Sequence, residues 1–407
     1  MKLSSLPLLT FLLAFASLAS ATFTTSNFHK DDSGLGNGGH PALNATKSID
    51  YEAILRKFIG DKGHGENNRC PKVWPRAEWR TLTKEQQESW IKATWCLSAR
   101  PSMLVGTETH LDGRRTSLLD DFVAIHVRLF YTTHYQASFL PWHRLYVHAR
   151  DLAMRRECGF TGPFPYWDWS LDADVGQVQH SPVLSNAHGI SGNGSSPDGT
   201  VTSGPFAYLP LSYRNGDEKN ESRLDLEPHY LTRAFRVNEI ANPQFPTFHE
   251  ADSSAAIHRL LMTGTSPVNF TTFATALEGV RKDFEVVNPG LHGGVHRAIG
   301  GDMMHSHSPN DPVLFLHHAN LDRLWWLWQN GITADRSGAT ATSVNKTDLS
   351  SQFWAYSGNT VEYDVDPTGG PRASLFDIQT LEGLYVPNVE TYKLMDIERP
   401  PLCYTYV

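Results

Sequence analysis

The sequence of 407 residues lacks the features that identify membrane proteins and nucleic-acid-binding proteins. Beyond the N-terminus, no stretch approaches the roughly twenty apolar residues that a membrane-spanning helix needs. Basic residues form no stripe, and the formal net charge is −8, which argues against a polyanionic partner. These absences predict that the chain has no membrane or nucleic-acid partner and binds a small organic molecule.

Cysteine is scarce, and the N-terminal sequence predicts the compartment that determines whether these cysteines form disulfides. A basic residue, the apolar run 6–16 and the small residues 19–21 predict a secretory signal peptide over residues 1–21, and hence a secreted, extracellular protein. In that oxidising compartment two disulfides are expected, in one of three pairings, among Cys70, Cys96, Cys158 and Cys403. Five sequons would be accessible to glycosylation, at Asn44, Asn193, Asn220, Asn269 and Asn345.

No linker divides the chain into separate folding units. Residues 22–69 predict an N-terminal arm and helix, and residues 70–407 predict one catalytic domain. Apolar periodicity and capping residues predict helices over residues 48–60, 83–97, 118–130, 142–157, 278–287, 291–299 and 312–329. The polar, glycine-rich stretch 171–223 predicts a surface loop near the rim of the site.

Histidines are the most informative residues, because six of them form two sets of three that are typical of a pair of metal sites. The sets are His126, His134 and His143, and His292, His296 and His318. The i,i+4 spacing of His292 and His296 places both imidazoles on one helix face. No carboxylate or thiolate stands at ligand spacing beside them, and H-E-x-x-H is absent. An all-imidazole site suits copper, zinc or iron and leaves a position open for a small reducible ligand such as dioxygen.

Three segments resemble the copper motifs of the tyrosinase and catechol oxidase family. They are FLPWHR at 139–144, PYWDWS at 165–170, and the run 308–325, which contains the adjacent His317 and His318. The spacing alone does not choose between these two histidines, and the family's motif matches its ligand to His318. The resemblance covers roughly residues 70–407. It implies a mainly α fold in which a four-helix bundle holds a dinuclear copper site, with long loops and few short strands.

The resemblance also implies the chemistry, namely two copper ions with dioxygen as co-substrate and oxidation of o-diphenols to o-quinones. Alternative functions are a full tyrosinase with monophenol monooxygenase activity, or a haemocyanin-like dioxygen-binding protein. A di-zinc hydrolase would need bridging carboxylates, which the sequence does not place at this site. The physiological phenol, and the choice between monomer and dimer, stay open.

Two positions depart from the patterns of relatives. Where many fungal members have a cysteine that forms a thioether with the middle histidine of the first site, this chain has Thr132. The chain ends shortly after a Tyr404-Thr405-Tyr406 motif that closes the catalytic domain in relatives, so no C-terminal covering domain is expected. In relatives this motif meets an arginine near the start of the domain, for which Arg76 and Arg80 are candidates.

Residues around the second site predict the substrate preference. In tyrosinases that it resembles, an asparagine after the first histidine of this site and a glutamate that holds a water assist deprotonation of monophenols. Here Gly293 replaces that asparagine, and Glu285 either holds the water or is a solvated helix residue. Arg297 would favour phenols that carry a carboxylate. We therefore expect o-diphenol oxidation to outweigh monophenol hydroxylation strongly.

Two carboxylates are candidates for orienting the NH groups of the ligand histidines. They are Asp311 and Asp322, on either side of His318. Asp311 is equally suited to capping the helix that begins at Pro312.

Overall fold

The computed structural model describes residues 50–60, 69–104, 115–176, 178–195, 197–215, 220–236, 246–332 and 344–407. The predicted signal peptide and the arm that follows it lie outside the described residues. Residues Asp50–Val407 form one compact unit. No helix in these ranges is long and apolar enough to cross a membrane.

The fold is mainly helical, as predicted. In chain order the helices are α1 (Tyr51–Gly60), α2 (Lys84–Ala99), α3 (Leu118–Arg128), α4 (Phe130–Thr133), α5 (Phe139–Cys158), α6 (Ser170–Ala173), α7 (Phe248–Asp252), α8 (Ser254–Met262), α9 (Phe270–Glu278), α10 (Gly290–Ile299) and α11 (Val313–Gln329). Reciprocal side-chain caps begin α2 at Thr83 and Gln86 and α3 at Ser117 and Asp120. Six of the seven predicted helices are confirmed, with ends that differ by a few residues.

The strands are short and few. They are β1 (Trp74–Glu78), β2 (Phe164–Tyr166), β3 (Pro210–Arg214), β4 (Asp225–Tyr230), β5 (Val280–Lys282), β6 (Glu285–Asn288), β7 (Ile378–Gln379), β8 (Val389–Glu390) and β9 (Tyr404–Tyr406). Strands β2, β1 and β9 form a parallel sheet in that order, and the others pair as antiparallel two-stranded ribbons. The register places Arg76 of β1 beside Tyr406 of β9, so the sheet joins residues 74–78 to residues 404–406.

The disulfide pairing, which the sequence left open, is Cys70–Cys403 and Cys96–Cys158. The first bond spans 333 residues and attaches the residue before β9 to a residue shortly before β1. The second joins α2 to the last residue of α5.

The helix predicted over residues 278–287 is wrong. Helix α9 ends at Glu278, because Gly279 adopts a positive φ of 110° that only glycine adopts without strain. The chain then forms the β5–β6 hairpin, whose turn residues Asp283 and Phe284 donate their backbone NH groups to the carboxylate of Asp364. This contact comes from a loop 80 residues away, so the local pattern could not predict it.

The surface loop predicted over residues 171–223 is only partly correct. The segment is largely irregular, but it contains β3 and buries large apolar side chains. Those that are at most 2% exposed include Val183, Leu184, Ile190, Val201, Phe206 and Leu209. These apolar residues attach the segment to the main hydrophobic core. They are widely spaced among glycine and short polar residues, so the sequence pattern did not predict their burial.

Helices α3, α5, α10 and α11 carry five of the six predicted ligand histidines. Helix α5 packs against α11 and α2, and α10 packs against α9 and α7. Phe122, Tyr146 and Phe315, from three different helices, are completely buried and contact one another edge-on or stacked. This rigid apolar packing fixes the directions in which the histidines point.

Candidate metal centre

The first histidine cluster lies at the junction of three helices. His126 is on α3, His134 follows the last residue of α4, and His143 is on α5. All three are at most 3% exposed. Their ring centroids are 4.9 to 5.5 Å apart, and Nε2 of His143 lies 3.4 Å from Nε2 of His126. One ion could therefore be held between these nitrogens.

The second cluster is built from α10 and α11. His292 and His296 stand one turn apart on α10, with ring centroids 4.5 Å apart, and His318 of α11 lies 5.3 Å from His292. Nε2 of each of these three side chains is buried without a hydrogen-bond partner among the described residues. Buried polar atoms are rarely left unpaired. Their orphaned lone pairs fit a metal ion.

The two clusters face each other and form one centre. The rings of His143 and His318 stack with centroids 4.3 Å apart, and those of His134 and His292 lie 6.2 Å apart. The groups capable of holding a metal in the described chain contain histidine only, without a carboxylate or thiolate. Such an all-imidazole donor set suits copper and does not suit a hard, oxygen-preferring cation.

The geometry also separates His318 from His317, which lies in the same cluster. The indole Nε1–H of Trp169 donates to Nδ1 of His317 at 3.1 Å. Burial keeps the pKa of His317 well below its usual value, so the ring is neutral and its proton must be on Nε2. Neither nitrogen then has a free lone pair. Both nitrogens of His318 lack a protein partner in the described part of the chain, whereas His317 lacks one only at Nε2, which favours His318 as the ligand.

Burial makes all six histidines neutral, which metal binding requires. It lowers the pKa of His126 and of His296 to about 4. Burial, followed by the proximity of other histidines, holds the pKa well below the ordinary value in His134, His143, His292 and His318.

Backbone carbonyls fix the tautomer of four of these rings. Nδ1 of His143 donates to the Phe139 carbonyl at 2.8 Å, and Nδ1 of His134 lies 3.2 Å from the Phe130 carbonyl. The Nδ1 atoms of His126 and His296 bind carbonyls as well. Because a carbonyl only accepts, the proton is on Nδ1, and the Nε2 lone pair is free for a metal.

The predicted role of Asp322 in orienting a ligand histidine is wrong. Its buried carboxylate accepts hydrogen bonds from Arg76, Arg144 and the hydroxyls of Tyr404 and Tyr406. Arg76 also donates to the Tyr406 hydroxyl at 3.2 Å and stacks over the ring of Tyr404 at 3.5 Å. Arg76 is therefore the arginine that meets the closing Tyr-Thr-Tyr motif.

Arg80, the other arginine candidate, instead pairs with Glu78 and Asp172. Asp311 accepts the backbone NH of Val313 at 3.0 Å, which confirms its role at the start of α11. It also forms a two-bond ion pair with Arg233, at 2.7 Å for each bond. No imidazole is among these partners.

The residues predicted to set specificity are spread over two elements. Gly293 lies on α10, where an added Cβ would come within 2.9 Å of the Cβ of Pro289. Arg297 is half-buried one turn further along α10, whereas Glu285 is exposed on β6 and is not a helix residue. The sequence reasoning missed Glu278, a buried carboxylate that accepts the backbone NH of Tyr135 at 2.5 Å.

Glu278 stands directly beside the segment that carries His134, and burial raises its pKa well above the usual value. Glu278 lies four residues after Ala274, on the apolar face of α9. This position in the helical pattern was the sequence signal that could have identified the side chain as buried.

The thioether that many fungal relatives form cannot form in this chain, because no free cysteine is present. All four cysteines are in disulfides. The side chain of Thr132 donates to the Leu129 carbonyl at 2.9 Å, within its own helical turn.

Comparisons with known proteins agree with this centre. The family model "Common central domain of tyrosinase" matches residues 116–331. The tyrosinase-like protein phomQ1 of Diaporthe leptostromiformis is 32% identical over 370 residues, covering 88% of this chain and 85% of that protein. The N-acetyl-6-hydroxytryptophan oxidase ivoB of Emericella nidulans is 30% identical, covering 81% and 91%.

Among solved structures, a glycine-to-asparagine variant of the polyphenol oxidase of Thermothelomyces thermophila matches with a TM-score of 0.64 and 25% identity, over 88% of this chain and 95% of that chain. The chain belongs to the tyrosinase family, and it is an enzyme of the copper oxidase type.

Proposed function

We propose that the protein is a dicopper catechol oxidase, which oxidises o-diphenols to o-quinones with dioxygen. The observation that carries this proposal is the pair of facing, neutral, all-histidine clusters. His126, His134 and His143 hold one copper ion and His292, His296 and His318 the other. Helices α3, α5, α10 and α11 form a four-helix bundle around them.

The metal pair supplies dioxygen binding and two-electron transfer when it is bound. Two o-diphenol molecules lose two electrons and two protons each, and one O₂ is reduced to two waters. The protein's own contribution is to keep six imidazoles in one orientation and four of them in one tautomer. The buried walls formed by residues such as Phe139, whose ring lies 4.9 Å from that of His292, exclude bulk water from the centre.

Monophenol hydroxylation should be weak, because neither of the two residues predicted to assist removal of the phenolic proton is suitably placed. Gly293 offers no side chain, and Glu285 is exposed on β6. Glu278 is a buried carboxylate beside the segment that carries His134, and burial raises its pKa well above the usual value. One of its oxygens accepts the backbone NH of Tyr135 and is already engaged by the protein. A full tyrosinase is the alternative that the substrate test decides.

The test compares kcat/KM for a matched phenol and catechol. Gly293→Asn should raise the monophenol-to-diphenol ratio roughly tenfold or more, at the lower end of what a positioned proton-transfer group contributes. Any side chain here must displace Pro289 slightly, so Gly293→Ala is the matched control and should leave the ratio unchanged. Equal efficiency of the wild-type enzyme on both substrates, without a lag phase, would overturn the proposed preference.

Arg297 adds a specificity element to this proposal. Its charge, one residue after His296, favours phenols that bear a carboxylate. Arg297→Gln should therefore raise KM for a carboxylated catechol and leave KM for unsubstituted catechol nearly unchanged.

We also propose that the protein is secreted after removal of residues 1–21 and that residues 70–407 are the catalytic domain. Two disulfides within the domain support an oxidising compartment. The sequons in the described ranges are all exposed, at Asn193, Asn220, Asn269 and Asn345. Mass spectrometry of protein secreted from a host cell would show the mature N-terminus and the occupied sequons.

A further inference from the structure

One short backbone segment contacts a ligand histidine of each cluster. The carbonyl of Ser306 accepts Nδ1–H of His126 at 2.6 Å, and the carbonyl of Met303 accepts Nδ1–H of His296 at 2.5 Å. We call residues 301–307 the bridging segment. Its two carbonyls lie three residues apart, yet they orient histidines that belong to different metal sites.

These two histidines depend on the bridging segment in a way that others do not. His143 and His134 bind carbonyls four residues earlier in the chain, so their own helical turns supply the acceptors. His126 takes its acceptor from a residue 180 positions away. The position of the bridging segment therefore controls one ring in each site, and whatever anchors the segment acts on both.

The main anchor is the carboxylate of Asp302, which is 1% exposed. Its Oδ2 accepts from the backbone NH and the hydroxyl of Thr232, at 2.7 and 2.8 Å. Its Oδ1 accepts from Nε2 of His229 at 3.0 Å and from the amide of Asn310 at 3.4 Å, and Nε2 of His307 lies 3.5 Å away. Both oxygens are thus used, by donors from two separate stretches of chain, 229–232 and 307–310.

The far end of the segment is held by neutral groups and one carboxylate. The backbone NH of Asn215 donates to Nδ1 of His307 at 2.9 Å, and its side-chain amide donates to the Ser306 hydroxyl at 3.0 Å. Glu221 accepts the backbone NH of Ser306 at 3.1 Å. Because Nδ1 of His307 accepts, its proton is on Nε2, which faces Asp302.

We propose that Asp302 is a positioning residue for both metal ions, acting through the bridging segment on His126 and His296. This inference rests on the proposed dicopper function. Loss of the carboxylate removes the side-chain bonds to Thr232 and His229 and keeps the backbone hydrogen bond from Asp302 to the Thr232 carbonyl. The segment is then held less firmly, and both carbonyls lose their fixed distance to the imidazoles. The rings keep their chemistry but not their single tautomer and direction. Metal affinity should fall at both sites together.

The decisive variant is Asp302→Asn. An amide has one acceptor oxygen, so if it keeps the Thr232 donors, its NH₂ group faces Asn310, His307 and Nε2 of His229. His229 can adapt by accepting at Nε2, because its Nδ1 donates to the Glu227 carbonyl, but Asn310 and His307 then lose their acceptor. Copper affinity is measured by competition with a chelator of known affinity, following the release of each ion. Outer-shell changes of this kind typically cost roughly 10- to 100-fold in metal affinity, and we expect a loss in that range for both ions.

The matched control is Asp172→Asn. Asp172 is similarly buried and accepts from Arg80, Trp167 and Ser181, and none of these partners hydrogen-bonds a proposed ligand histidine. It should lower the unfolding midpoint of the metal-free protein but leave copper affinity as in the wild type. Asp302→Asn that binds both ions with wild-type affinity would overturn the inference, whatever its effect on stability. Wild-type protein that binds no copper would refute the proposed function instead.

If Asp302→Asn does not fold, Thr232→Val provides the same test in a milder form. It removes one hydrogen bond to Oδ2 and keeps the size and branching of the side chain. We expect a smaller weakening of copper binding, again at both sites. Unchanged affinity at either site in this variant would contradict an anchor common to both.

Discussion

Replacing Asp322 by alanine should destabilise the protein severely, because this carboxylate is the shared counterion of a buried network. Arg76 and Arg144 are completely buried, and both pair with Asp322, which is 2% exposed along its side chain. The hydroxyls of Tyr404 and Tyr406 donate to the same oxygen. The network attaches α11, which carries His318, to α5 and to the C-terminal strand.

The magnitude follows from what the variant leaves behind. Removing one partner of a buried ion pair typically costs about 3 to 5 kcal/mol, since the other charge stays buried and uncompensated. Here two guanidinium groups lose their counterion, so the free energy of unfolding should fall by at least about 3 kcal/mol. Burial alone would raise the pKa of Asp322. Arg144 and Arg76 outweigh burial and hold that pKa below its usual value.

Urea denaturation of the metal-free protein, followed by fluorescence, measures this effect without involving copper. Asp322→Asn keeps an acceptor but no charge and should fall between wild type and Asp322→Ala. The control is Glu88→Ala, which breaks an exposed i,i+4 pair with Lys92 and should cost less than about 0.5 kcal/mol. A loss below about 1 kcal/mol for Asp322→Ala would refute the description of the network as a buried counterion site.

Three further outcomes are expected. Replacing both cysteines of the Cys70–Cys403 disulfide by serine should cost about 1.5 kcal/mol more than removing the other disulfide in the loop-entropy description, because it closes 333 rather than 62 residues; equal unfolding midpoints in urea would contradict this. The metal-free protein should lose stability as the pH falls from about 6.5 towards about 4, because His126 and His296 bind protons in the unfolded state but stay neutral when buried in the folded state. Thermal unfolding at a series of pH values measures this effect. A stability that does not change with pH in this range would argue against neutral buried rings. Exchanging His317 for Gln should leave the copper content unchanged, as metal analysis would show; a lost ion would make His317 a ligand.

The sequence predicted the parts of the centre that local patterns encode. Helical spacing put His292 and His296 on one face, and the start signals at Asp311 and Pro312 placed α11 nearly to the residue. The regular amphipathic pattern of a helix is a local property, so it survives in the fold when packing agrees with it.

Contacts between distant segments were beyond local reasoning. Nothing near Asp322 in the sequence indicates that Arg76, 246 residues away, is its partner. The hairpin after Gly279 depends on Asp364, and this tertiary contact overrode the helical pattern that had placed Glu285 on a helix. The backbone carbonyls that orient His126 and His296 carry no side-chain signature, so no sequence pattern could reveal them.

Copper stoichiometry tests the central claim most directly. The purified wild-type protein should bind two copper ions per chain, measured by metal analysis against protein concentration from amino-acid analysis. His296→Ala should lose copper from the second site and its catechol oxidase activity, while keeping the folded core, since that ring belongs neither to the main hydrophobic core nor to a disulfide. Two ions in the wild type and at most one firmly held in His296→Ala would agree with the account. One copper per wild-type chain, stoichiometric zinc with oxidase activity intact, or normal catechol oxidation by His296→Ala would contradict it.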